Sequence, residues 1–353
     1  MAGTGSSATF RFDRLDALRF LAALWVALGH GAAPQVPAAW IGDSVALHIV
    51  VGLYKNLFNG QAAVIVFFLI SGFCVHFPQR AGGAFDPVAH LLRRSFRLVP
   101  PMLAAMFAAR ALGIAPAAFD GIIWTLYAEL VFYALYPVLL AVARRHGWGP
   151  VVLAAYALAF ATLVAGQPTP FFDGMGMPAT WALGLPCWLL GCLLADRLDA
   201  PNAGVAPARS RATLWALRLA VIGAAVVCSA LRFKTAIGHT WTLPVYALLA
   251  YLWLSRELVD ARDAGGDGAF WRHCARAGTW SYSLYLTHLL VLLPGRALDA
   301  PAGVATVAAI PAMLVVAYAF HRAVERPSHE AARALAALWT GKRRPGAAAA
   351  IGD

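Results

Sequence analysis

The amino-acid sequence predicts an all-α, polytopic membrane bundle of about ten transmembrane helices with both termini in the cytoplasm. Three observations predict it: the overall composition, a succession of apolar segments of bilayer length, and a one-sided distribution of basic residues. Of 353 residues, 61% are hydrophobic and only 13% charged, with a mean hydropathy of +0.67. Such a chain is too apolar for a soluble enzyme of this length. A bilayer core requires roughly 17 to 25 apolar residues per helix. Segments of that kind fall near 15–33, 61–77, 96–113, 124–143, 150–166, 179–196, 212–231, 240–255, 279–293 and 302–321.

Orientation follows from the cations, because Lys and Arg flanking short loops stay cytoplasmic. With the N-terminus inside, only Lys55, Arg110, Arg232, Lys234 and Arg296 of the 28 lysines and arginines fall outside. Removing one helix would invert every later loop, so the asymmetry supports the count as well as the direction. It also accounts for the net charge of +11 without nucleic acid as a partner. The N-terminal "MAGTGSSATFRFDR" runs into the first apolar segment without a small-residue cleavage site, and that segment is expected to be retained. One transmembrane domain is expected over 1–340, with a disordered tail over 341–353. The stretch 44–58, "SVALHIVVGLYKNLF", reads as an interfacial helix or an eleventh element, and the polar stretches 199–211 and 256–276 read as loops.

The first segment, "RLDALRFLAALWVALGH", carries Asp16, Arg19 and His30. Eleven steps separate Arg19 from His30, about three turns and 20°, so both lie on one helical face roughly 16 Å apart along the axis. Asp16 and Arg19 are three apart and suit an ion pair anchoring the helix end. His30 is a candidate base, or a core histidine satisfied by hydrogen bonds. In "HLLRRSFRLVPP", Arg94 and Arg97 share a face ahead of the third segment; they anchor the helix to the cytoplasmic side or hold phosphate with their guanidinium forks. "WTLYAELVFYALYP" places Glu129 in an apolar helix, where a carboxylate needs an Arg or His partner from another helix. In "SYSLYLTH", Ser281, Tyr285 and His288 form a stripe that either lines a wet cavity or bonds between helices.

The five cysteines form no CxxC and read as packing residues. No Walker loop, GxGxxG, HExxH or GxSxG occurs, and no metal is expected.

Taken together the segments resemble acyltransferase family 3, membrane-bound O-acyltransferases of bacterial polysaccharides and secondary metabolites. Arg19 and His30, separated by ten residues, match its first-helix motif; Ser71, Gly72 and Phe73 in "FFLISGF" match the second-helix motif; Arg94 and Arg97 match RxxR. Trp124 to Tyr133 with Glu129, Ser281 to His288, and Glu325 to Pro327 match the remaining ones, with Thr125 in place of the usual serine, and Leu130 and Val131 in place of a common glutamate and glutamine.

The resemblance implies an acyl-CoA donor, usually acetyl-CoA, used from the cytoplasm, and a carbohydrate or other hydroxyl acceptor. It implies His30 as base or acyl carrier, with Glu129 or Asp16 orienting an imidazole or balancing arginines. It implies Arg19, Arg94, Arg97, Ser71, Ser281, Tyr285 and His288 on the donor side, and a bacterial inner-membrane location with lipid bilayer around the chain. Homo-oligomers are compatible with it. A covalent route through His30 or Ser71 is the rival mechanism, a small-molecule acceptor the rival substrate. Buried charges on ten helices also suit a transporter or flippase.

Overall fold

The computed structural model describes residues 13–32, 42–166, 168–198, 211–235, 237–263, 268–296 and 302–341. Every regular element among them is helical. The order is α1 (Asp13–Ala27), α2 (Val45–Leu57), α3 (Gly60–His76), α4 (Pro87–Ala111), α5 (Pro116–His146), α6 (Trp148–Ala165), α7 (Met177–Arg197), α8 (Arg211–Lys234), α9 (His239–Asp263), α10 (Ala269–Gly278), α11 (Ser281–Arg296), α12 (Ala302–Phe320) and α13 (Arg326–Trp339). The stretches 342–353 and 199–210, expected to be a tail and a loop, lie outside the described residues.

Each of the ten expected segments falls on a helix. Among the described residues six stretches are long and apolar enough to cross a membrane: Val45–Gln79, Gly121–His146, Trp148–Ala165, Ala179–Arg197, Arg211–Lys234 and Ala308–Trp339. The segments on α1, α4, α9 and α11 do not reach that standard. α1 and α11, of 15 and 16 residues, are short for a bilayer core, and α4 and α9 carry charged residues along their length. The stretch 256–276 is not a loop: α9 continues to Asp263 and Ala269–Gly278 forms α10. The physical reason is tertiary. Glu257 and Arg256 look polar in sequence, but Glu257 is 0% exposed. Its carboxylate accepts from Arg14 at 2.8 Å, from Arg218 at 2.6 and 3.0 Å and from Trp253 Nε1 at 3.0 Å.

Local chemistry sets the helix starts. Ser44, Asn59 and Asp86 cap α2, α3 and α4 by accepting from the amides of Leu47, Ala62 and Ala89. Pro87 and Pro116 occupy first turns, where the missing N–H is harmless.

At the centre α3 packs on α7, flanked by α1 and α9 on one side and by α5 and α6 on the other. A Cβ on Gly72 would stand 1.9 Å from the Trp188 carbonyl oxygen, and one on Gly191 would stand 2.0 Å from that of Leu69. The two backbones therefore approach as only small residues allow. Gly72→Ala should cost about 1–3 kcal/mol, or prevent assembly outright; a melting curve of the detergent-solubilised chain that matched the parent would show that the helices part without cost.

Candidate active site

A cleft of about 650 Å³, counting its open mouth, lies between α1, α3, α4, α5 and α11. Six of the residues singled out in the sequence line it: Arg19, Ser71, Arg97, Glu129, Ser281 and Tyr285. Phe67, Phe68, Val64 and Leu126 supply its apolar part.

Glu129 is held by hydroxyls, not by an Arg or His hydrogen bond as expected. Ser71 Oγ and Tyr133 Oη both donate to its Oε1. Trp188 Nε1 donates in turn to Ser71 Oγ at 3.2 Å, so the serine passes a hydrogen bond from α7 to the carboxylate. The serine of "SGF" thus has both its donor and an acceptor position engaged. Arg19 stands in the same cleft, 3.6 Å from Asp16 one turn earlier on α1, as the three-residue spacing suggested.

Tyr285 and Thr125 share a 2.7 Å hydrogen bond, and Thr125 Oγ1 donates to the Ile122 carbonyl at 2.7 Å, leaving Tyr285 as the donor to Thr125. A hydroxyl at position 125 suffices for this link, so threonine serves where the resemblance led one to expect serine. Ser281 turns its hydroxyl to the Gly278 carbonyl at 2.9 Å.

Arg94 donates to the Cys74 carbonyl at 3.2 Å, and its guanidinium sits 5.6 Å from the Tyr133 ring centre. Arg97 alone of the two lines the cleft. One turn ahead of Arg94, on the cytoplasmic side of the expected third span, burial and then the Arg94 charge push His90 down to about 4. The cations of this face are therefore the arginines.

The turn that carries Arg97 is also braced from outside. Pro100 has no N–H and leaves the Phe96 carbonyl without its helical donor. Ser328 Oγ donates to that carbonyl, and Tyr282 Oη donates to the Leu98 carbonyl at 2.9 Å.

His30 and His288 do not line the cleft; they meet one turn beyond Tyr285. α1 ends in a π-helical turn, Leu28–Ala32, in which Gly31 takes φ 105°, a conformation glycine adopts without strain. Single π-turns of this kind re-aim a side chain. His30 Nδ1 lies 3.0 Å from the Val26 carbonyl oxygen and 3.3 Å from His288 Nε2. His288 Nδ1 lies 2.7 Å from the Tyr285 carbonyl oxygen. A carbonyl only accepts, so this geometry assigns the proton to Nδ1 in both rings and the lone pair to Nε2.

Glu325, the first residue of the closing E-x-P, was assigned no role in the sequence. It is 1% exposed, on a π-helical turn between α12 and α13. It accepts from Ser283 Oγ at 2.5 Å and His321 Nδ1 at 3.0 Å. Its charge faces Arg97. The motif was the one sequence signal that pointed to it; nothing pointed to Trp188. Among the described residues no group of His, Cys, Asp and Glu is placed to hold a metal ion.

Comparison with known proteins gives two matches. The family profile described as "Acyltransferase domain" matches residues 12–322. Acyltransferase MdmB of Streptomyces mycarofaciens is 26% identical over 382 aligned positions, which cover 90% of this chain and 91% of that protein. No solved structure matches.

Proposed function

We propose, from the premise that this chain belongs to acyltransferase family 3, that it moves an acyl group, in the first place acetyl, from cytoplasmic acyl-CoA to a hydroxyl of a cell-envelope glycan. The observation that carries the reading is the cleft: two arginines and a half-buried carboxylate share one opening, and Tyr285 leads from its wall to the paired imidazoles. CoA is polyanionic, and guanidinium forks suit its phosphates. Arg97 and Arg19 would hold the donor within the cleft, and Arg94 would act at its cytoplasmic edge.

His30 is the base of this scheme. Its Nε2 takes the proton of the acceptor hydroxyl as the oxygen attacks the thioester carbonyl. Ser71 fits a supporting role better than a nucleophile's, since its proton is committed to Glu129. The ten expected spans, both termini inside, complete the proposal. They place the donor arginines at the inner mouth and His30 toward the outer leaflet.

Release of CoA by the purified chain, with acetyl-CoA and a panel of glycan and small hydroxylic acceptors, tests acyl transfer against transport. In sealed vesicles of known orientation acetyl-CoA should work only from the cytoplasmic face. Acceptor modified on that face alone would move the acceptor to a cytoplasmic small molecule.

The arginines have a separate test. Lysine keeps the charge and loses the bidentate fork, so Arg97→Lys should raise the half-saturating acyl-CoA concentration by about tenfold with the acceptor requirement little changed. Arg94→Lys should do the same to a smaller degree. Unchanged donor titrations in both variants would make them membrane anchors.

A further inference from the structure

We propose that His288 is a positioning residue that holds His30 as the proton acceptor, so that the chemistry runs on a histidine pair in place of a histidine and a carboxylate. The inference rests on the reading of His30 as base and adds the group that orients it.

The two carboxylates that the sequence offered as imidazole partners are engaged elsewhere: Asp16 with Arg19, Glu129 with Ser71 and Tyr133. The group found against His30 is His288, with ring centres 5.0 Å apart and planes inclined at 42°. His288 is 0% exposed. Its own orientation is fixed at the far nitrogen, where Nδ1 donates to the Tyr285 carbonyl. Leu284 and Leu292 of α11 pack with Ala23 and Ala27 of α1 and Met313 and Ala317 of α12. The helices bearing the two rings are therefore held together by a buried apolar cluster.

A neutral acceptor suits this depth. A second fixed carboxylate would be costly to bury, whereas an imidazole lone pair carries no charge in the resting state. As the acceptor O–H bond breaks, its proton passes to His30 Nε2 and the oxygen bonds to the thioester carbonyl carbon. When the C–S bond breaks, His30 returns that proton to the CoA sulfur, and an ester and a thiol leave a neutral histidine behind. In between, His30 is an imidazolium, and its Nδ1–H bond to His288 Nε2 becomes charge-assisted and roughly twice as strong. His288 thus raises the basicity of His30 at the moment the proton moves.

Diethyl pyrocarbonate acylates the unprotonated imidazole nitrogen and reads that nucleophilicity without any acceptor. The full-length chain in detergent is labelled and His30 followed by mass spectrometry, with exposed His48 and His273 as internal references. His288→Leu fills the space without an acceptor and should slow His30 labelling by about tenfold relative to the references. His288→Gln restores a carbonyl acceptor and should stay within about threefold of the parent. His30 labelling at the parental rate in His288→Leu overturns the pair and leaves the base reading standing. Equal slowing in both variants assigns His288 to packing and overturns it too. A parental His30 that never reacts overturns the base reading, and the pair with it.

Discussion

His30→Ala should lower acyl transfer by about 10²–10⁴-fold, the range that loss of a general base produces. The protein should still fold. His30 is half-buried on a π-helical turn whose shape depends on the backbone and on Gly31, so truncation removes little packing. His30→Gln keeps a polar side chain of similar reach and no basic nitrogen, and should be as inactive as the alanine variant. The check is CoA release at saturating acetyl-CoA, alongside a size-exclusion profile. Parental turnover in His30→Ala would remove the base from the scheme.

The second large effect is on stability, and it lies away from the cleft. Glu257→Ala should destabilise the chain by about 3–5 kcal/mol, because it takes the carboxylate out from between two arginines, one of them buried. Arg14 and Arg218 would then be left as like charges on the Trp271 ring, 4.3 and 5.3 Å from its centre, with Asp260 at 3.6 Å the remaining carboxylate on Arg14. Arg218→Leu should cost less, since Arg14 retains its 2.8 Å bond to Glu257. Thermal unfolding in detergent ranks the two variants. Glu257→Ala melting with the parent would mean that water already reaches this cluster.

How legible this was depended on the range of the interaction. Segment length and hydropathy are local, and they located the helices from α3 to α8 directly. The Asp16–Arg19 pair was legible for the same reason, being set by helical spacing alone. Glu129 was recognisable as a carboxylate needing a partner, but not its partners: the serine and tyrosine hydroxyls, and the tryptophan indole behind the serine, carry no charge pattern that marks them. Glu257 was misplaced into a loop because its two arginines come from α1 and α8, far away in the chain. The same-face reading of Arg19 and His30 assumed an uninterrupted α-helix. The π-turn breaks that assumption at Leu28, and the two side chains serve different parts of the site.

The proline pair of α4 bears on how the arginine turn opens. A helix normally closes each turn with its own amides, and its ends then fray independently of its neighbours. Here the carbonyls of Phe96 and Leu98 accept hydrogen bonds from Ser328 of α13 and Tyr282 of α11. The segment around Arg97 therefore belongs to the same cooperative unit as the last helix of the fold. Amide exchange there should therefore respond to the detachment of α13 as well as to fraying within α4.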